Sequence, residues 1–221
     1  MSPRRDARTR KSSVRPIVRR KRLDKPKFWI VAGPNGSGKS SIYTDTDIED
    51  FGGSVWIINP DLLTARIQDT EHLKPRAANI AAVTRIYEWL ESSIAAYQTI
   101  GVETVLSTEK YRTLVLAAKA HGFEVRLIYI LLDSPELSVE RVRLRVGKGG
   151  HHVPTTKIRQ RRERSLRQLP WFLGNSDLAW IFDNSGARPA QIAKKIGNTI
   201  IVDPAALPEI KEAVRLVKGV K

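Results

Sequence analysis

The residues with the most chemistry per position are Gly33, Pro34, Asn35, Gly36, Ser37, Gly38, Lys39 and Ser40, with Ser41 behind them. They fit G-x-x-x-x-G-K-[ST], directly after the apolar run FWIVA and ahead of a stretch that can open a helix. Glycines at 33, 36 and 38 let the chain turn tightly and approach a polyphosphate with no Cβ in between. The successive N–H groups of such a loop point at phosphate oxygens, with a helix dipole behind them. Lys39 brings positive charge to the β- and γ-phosphates, and the Ser40 hydroxyl is placed for Mg²⁺. The expected ligands are ATP, or another nucleoside triphosphate, and Mg²⁺. The loop alone does not choose among kinases, motors, switches and transporters. No LSGGQ-like transporter signature and no N-K-x-D base-reading motif is present, and 221 residues are few for a motor.

Three acids follow at strand-like positions. Asp61 closes Asn59-Pro60-Asp61 after an apolar run; there it can take the proton of an acceptor hydroxyl or hold Mg²⁺ through water, or it can simply belong to a turn. Glu103 lies inside VETVLS, with Ser107 at its end. An acid in a buried strand is costly unless paired or facing a cleft, so Glu103 and Ser107 are acceptor-contact candidates; an edge position facing water is the alternative. Asp133 ends IYILL like a metal-organising acid, but its place before Ser134-Pro135 fits a helix cap better.

Residues 141–167 hold ten Lys and Arg against one acid, Glu163, and they bracket GKGGHHVP. The pattern predicts a lid: a basic segment on a glycine hinge that closes over phosphates. Arg141 and Arg145, four apart on one helix face, would neutralise charge on the transferring group. A solvated basic face or a nucleic-acid patch is the alternative. His152, and His151 before it, could contact phosphate or acceptor. Asp183-Asn184-Ser185 could line a nucleotide base or make a turn.

These residues need a scaffold that gathers strand ends. FWIVAG (28–33), VWIINPD (55–61), VETVLS (102–107), FEVRLIYILLD (123–133), LAWIFDN (178–184) and TIIVD (199–203) read as strands. Ile80, Val83, Tyr87, Leu90, Ile94 and Tyr97 recur at steps of three and four, giving one helical face. Ser134 and Pro135 read as an N-cap followed by proline at the first helical position. Strands alternating with helices predict an α/β fold, a doubly wound and mainly parallel sheet with flanking helices. In such sheets ligands gather beyond the carboxyl ends of the strands.

Charge divides the chain. Residues 1–27 carry 12 of its 38 Lys and Arg but only two of its 23 acids. The expectation is a disordered basic tail over 1–27 and one domain over 28–221. The tail is either solvated or an arm for an acidic partner such as nucleic acid; its composition also suits a mitochondrial presequence. There is no cysteine, which suits a reducing compartment, and no apolar run approaches the ~20 residues of a membrane span. A cytoplasmic location is expected.

Taken together, GPNGSGKSS, NPD, ETVLS, RVRLRV-GKGGHHVP, IRQRRERSL and IFDNS resemble the zeta-toxin-like P-loop kinases over roughly residues 28–190. That resemblance implies a kinase using ATP and Mg²⁺. Better-studied zeta toxins are toxins of toxin–antitoxin pairs that phosphorylate UDP-N-acetylglucosamine on a sugar hydroxyl. Carried over, it implies phosphate and Mg²⁺ binding by Lys39 and Ser40, a catalytic base in Asp61, an acceptor contact in Glu103 and charge neutralisation by Arg141. The sequence departs from that pattern in NPD, in having His151 and His152 where zeta toxins place an arginine ahead of the lid proline, and in its basic tail. It therefore resembles a sister branch. A UDP-sugar acceptor and a protein antitoxin are expected partners, and the nucleic-acid reading, as a P-loop ATPase or polynucleotide kinase, is the alternative.

Overall fold

The computed structural model describes residues 24–42, 57–150 and 152–218. Most of the basic tail, the first two residues of the expected second strand and His151 lie outside the described residues. Strand β1 (Lys27–Ala32) leads into the glycine loop and a 3₁₀ turn at Lys39–Ser41. Next come β2 (Ile57–Ile58), α1 (Pro60–Glu71), α2 (Pro75–Ala95), β3 (Ile100–Thr104), α3 (Arg112–Ala120), β4 (Glu124–Leu131), α4 (Pro135–Gly147) and α5 (Thr155–Asn175). The chain continues through β5 (Leu178–Asp183), β6 (Ala190–Ile196), β7 (Thr199–Val202) and α6 (Pro208–Lys218).

These strands form one sheet in the order β2-β3-β1-β4-β5-β6-β7. The first five run parallel, and β6 and β7 are antiparallel additions. The chain places β3 on one side of β1 and β4 on the other, so β1 ends at the switch point where such sheets bind ligands. Registers of Ala32 with Thr104 and Tyr129, and of Leu131 with Asp183, bring the carboxyl ends to one edge.

Alternation along β1 builds two cores. Phe28, Ile30 and Ala32 face a large cluster with α2, α3, α5 and α6. Trp29 and Val31 face Ile42, Ile128, Ile130, Trp180 and Phe182. All five β1 residues from Phe28 to Ala32 are fully buried, which explains an apolar run without polar alternation.

Two expectations need correction. Asp61 does not end a strand: β2 stops at Ile58, Asn59 is the N-cap of α1, Pro60 its first residue, and Asp61 lies in its first turn. The buried face of α2 is Ala78, Ala82, Ile86, Leu90 and Ile94, whereas Ile80 is 58% exposed and Tyr97 lies beyond the helix at φ 58°. The alanines pack with Ile67 of α1, so small residues, not large ones, mark that seam. Strand β6 was not anticipated; AQIAKKI has two lysines and weak strand propensity. Among the described residues no helix is long and apolar enough to cross a membrane.

Candidate active site

Three glycines of the loop adopt positive φ: Gly33 at 151°, Gly36 at 79° and Gly38 at 82°. A Cβ on Gly33 would sit 2.0 Å from the Ile130 carbonyl oxygen of β4, and one on Gly36 would sit 2.5 Å from the Ser138 carbonyl oxygen of α4. Glycine is thus required both for conformation and for close packing. Gly33 N–H extends the sheet ladder to the Thr104 carbonyl at 3.2 Å. Asn184 Nδ2 donates to the Ser37 carbonyl at 2.9 Å and bolts the far side of the loop to the end of β5. The Ser37 hydroxyl is buried with no hydrogen-bond partner among the described residues. Pro34 and Asn35 are also buried, Ser40 is exposed, and Ser41 ends the 3₁₀ turn.

Lys39 is buried, 8% exposed. Its Nζ donates to the Gly33 and Pro34 carbonyls at 2.9 and 3.1 Å and lies 3.9 Å from Glu103 Oε1. Burial holds its pKa below the ordinary lysine value; Glu103 and Asp61 push it up, while Arg145 and Arg161 push it down further. Two acids and two guanidinium groups therefore act on one ammonium.

Glu103 is not at a sheet edge: β3 lies between β2 and β1, and the residue is 9% exposed. Asn59 Nδ2 donates to its Oε2 at 2.9 Å. Asp61 is exposed to solvent at the mouth of the same cleft, a space of about 320 Å³. Lys39, Asn59, Asp61, Glu103, Ser107, Arg145 and Arg161 all line it.

The basic segment divides sharply. Arg141 Nη2 donates to the Ser185 carbonyl at 3.4 Å, beside the Gly38 end of the loop. Arg145 lines the cleft, and Arg161 lines it while donating to Asn35 Oδ1 at 3.2 Å. Arg162, one residue on, is 4% exposed and faces the core, donating to the Leu132 carbonyl at 2.7 Å and to Glu209 at 2.9 Å. His152 is exposed and does not line the cleft; Val153 does, packed with Val142 and Ile158. Asp133 is exposed, and the cap of α4 is Ser134, whose hydroxyl accepts from Leu137 N–H at 3.3 Å.

Three residues at the site went unassigned. Asn59 had a signal, since Asn before Pro at a helix start is a cap pattern. Asn184 stood in a motif open to two readings. Arg161 carried no signal that set it apart from nine basic neighbours.

The five-strand parallel core, the loop at the switch point and the acids beside it define a P-loop kinase-like domain. The chain belongs to the AAA domain family, AAA_33, which it matches over residues 28–169. It is similar to an uncharacterized protein of Haemophilus influenzae, at 27% identity over 143 residues, covering 61% of this chain and 96% of that one. Its fold is similar to that of AvrRxo1-ORF1:-ORF2 with ATP, at TM-score 0.63 and 16% identity. That match covers 87% of this chain but only 64% of the other. It is also similar to a chain of the PezAT chromosomal toxin–antitoxin system of Streptococcus pneumoniae, at TM-score 0.57 and 17% identity, covering 91% and 88%. At these identities the likeness to both structures is one of fold.

Proposed function

We propose that this chain is an ATP-dependent kinase that phosphorylates a hydroxyl of a small acceptor such as UDP-N-acetylglucosamine, and that it is the toxin of a cytoplasmic toxin–antitoxin pair. The observation that carries the reading is the convergence of the phosphate loop, Asp61 and Glu103 on one cleft at the switch point. The folds shared with AvrRxo1-ORF1:-ORF2 and with the PezAT toxin–antitoxin system support it, as does the resemblance to zeta-toxin-like kinases.

The loop suits a polyphosphate: three glycines at positive φ let it turn tightly against β4 and α4, the Ser37 hydroxyl is buried with no hydrogen-bond partner among the described residues, and the buried Lys39 ammonium rests on the Gly33 and Pro34 carbonyls. Residues 33–41 would hold the phosphates. Mg²⁺ would be held by the Ser40 hydroxyl together with water and phosphate oxygens. When bound, ATP would supply the phosphoryl group and Mg²⁺ would offset part of the polyphosphate charge.

Asp61 takes the proton of the acceptor hydroxyl as that oxygen bonds to phosphorus and the bond to the ADP oxygen breaks. Glu103 and Ser107 orient the acceptor, with His152 able to join them only if its segment moves inward. Lys39, Arg141 and Arg145 stabilise charge on the transferring group and on ADP.

The test is ³¹P NMR of protein, ATP, Mg²⁺ and UDP-N-acetylglucosamine, beside a control without acceptor and the Asp61→Asn variant. The expected result is a new sugar-phosphate resonance that needs both acceptor and Asp61, with transfer lowered by ~10²-fold in the variant. A resonance unchanged in Asp61→Asn removes Asp61 from its role. A phosphate ester formed only on an oligonucleotide acceptor would replace the sugar reading with a polynucleotide kinase.

A further inference from the structure

One amide joins the two acids of the cleft. Asn59 Oδ1 accepts the backbone N–H of Asp61 at 2.9 Å and of Leu62 at 3.3 Å, capping α1. Its Nδ2 donates to Glu103 Oε2 at 2.9 Å, while Glu103 Oε1 lies 3.9 Å from Lys39 Nζ. The first turn of α1, which carries Asp61, is thereby tied to the buried carboxylate of β3 and through it to the phosphate-loop lysine.

We infer that Asn59 is a positioning residue for the reaction: its Nδ2–H orients the Glu103 carboxylate while its Oδ1 fixes the backbone under Asp61, so that both acids meet the acceptor in one arrangement. The inference rests on the kinase reading above.

The choice of residue type favours this over a plain helix cap. Ser, Thr and Asp cap about as well as Asn. Asp has no donor when ionised, and Ser or Thr would have to donate through the same short-reaching oxygen that caps the helix, whereas Asn carries its donor on a second atom, Nδ2, beside the acceptor oxygen. A carboxylate at position 59 would face the Glu103 carboxylate, and like charges so placed drive one of the pair to take up a proton. Glu103 thus selects the amide, and the helix alone does not. The other charged groups lining this cleft are Lys39 from the loop, Asp61 from α1, Lys110 from the β3–α3 connection, Arg145 from α4 and Arg161 from α5. In that field a carboxylate without its amide donor is pulled toward the cations.

Two arms test the proposal on the full chain. In the first, exchange of the ¹⁵N-labelled Asn59 side-chain amide protons with solvent is followed by NMR at one pH in wild type and in Glu103→Ala. One Nδ2 proton should exchange more slowly than its geminal partner, because it is held on Glu103, and the difference should vanish in Glu103→Ala. Two protons that exchange alike in the wild type, or a difference that persists in Glu103→Ala, overturn the proposal, and this arm needs no turnover. In the second, ADP release from ATP–Mg²⁺ with UDP-N-acetylglucosamine as acceptor is measured for Asn59→Ser and Asn59→Asp, both of which keep a capping oxygen.

Both variants lose a bond to a buried carboxylate and should melt below wild type, so rates are compared well below the Tm of each. Their kcat should fall roughly ten- to a hundredfold, the range for a misplaced catalytic group, with the KM for ATP nearly unchanged. Asn59→Asp alone should move the acid limb of the pH profile upward, and the double variant Asn59→Asp/Glu103→Gln should move it back by restoring a donor–acceptor pair with roles exchanged. Wild-type kcat and pH profile in Asn59→Ser would overturn the positioning role. If the wild type releases no ADP with the acceptor present, the reading of UDP-N-acetylglucosamine as acceptor fails, and the NMR arm still decides whether Asn59 holds Glu103.

Discussion

Replacing Gly36 with alanine strikes the point where the phosphate loop touches the arginine helix. Gly36 sits at φ 79°. Holding an L-residue there costs about 1–2 kcal/mol. The new Cβ would lie 2.5 Å from the Ser138 carbonyl oxygen and 3.2 Å from Val142 Cγ2, both on α4, where ordinary contact begins at 3.4 Å. The nearer obstacle is backbone, so loop and helix must part by about 1 Å. Arg141 and Arg145 ride on that helix. A misplacement of about 1 Å can cost a factor of about 10² in rate. A stability loss of about 2 kcal/mol corresponds to about 4–8 °C in Tm for a domain of this size. The assays are thermal unfolding, calorimetric ATP binding and single-turnover phosphoryl transfer. Gly147→Ala is the control, since nothing lies within 4 Å of a Cβ there. A Gly36→Ala protein that melts, binds and turns over like wild type would refute the claim that this contact sets the loop against α4.

Arg161→Ala and Arg162→Ala should separate function from folding at adjacent positions. The first removes a cleft cation and should lower phosphoryl transfer with Tm nearly unchanged. The second strips charge-assisted bonds from the Leu132 carbonyl and Glu209 and should cost about 2–3 kcal/mol, read by denaturant unfolding. Lys39 should give a pH signature. Its folded pKa is lowered by burial, so between that value and the ordinary 10.5 the unfolded chain binds more protons. Wild-type stability should therefore rise with pH across that window, and the rise should be smaller in Lys39→Met when both are unfolded in parallel at several alkaline pH values. Equal slopes would remove the buried ammonium as their cause.

What could be read from the sequence was whatever is decided locally. The glycine loop is legible because its conformation, its donors and its lysine lie within eight residues, and the strand before it is legible because both of its faces are buried. Glu103 is legible because a buried strand carboxylate needs a reason to exist. Asp61 was visible as a residue but placed on the wrong element: telling a strand end from the first turn of a helix required seeing which N–H groups Asn59 accepts. The basic segment was least legible, because the fates of its arginines are set at long range. Arg161 and Arg162 are neighbours of one type on one helix, yet one reaches Asn35 and the other Leu132 and Glu209. Those distant bonds also limit how the segment can move. From Ile158 onward α5 buries Arg162, Ser165, Leu169, Phe172 and Leu173 against the domain. It cannot swing over the loop as a unit without exposing that face and breaking the Arg162 bonds. Any closure must therefore be a bend ahead of Ile158, at the end of α4 and the glycines after it, whereas Arg145 and Arg161 already line the cleft without one.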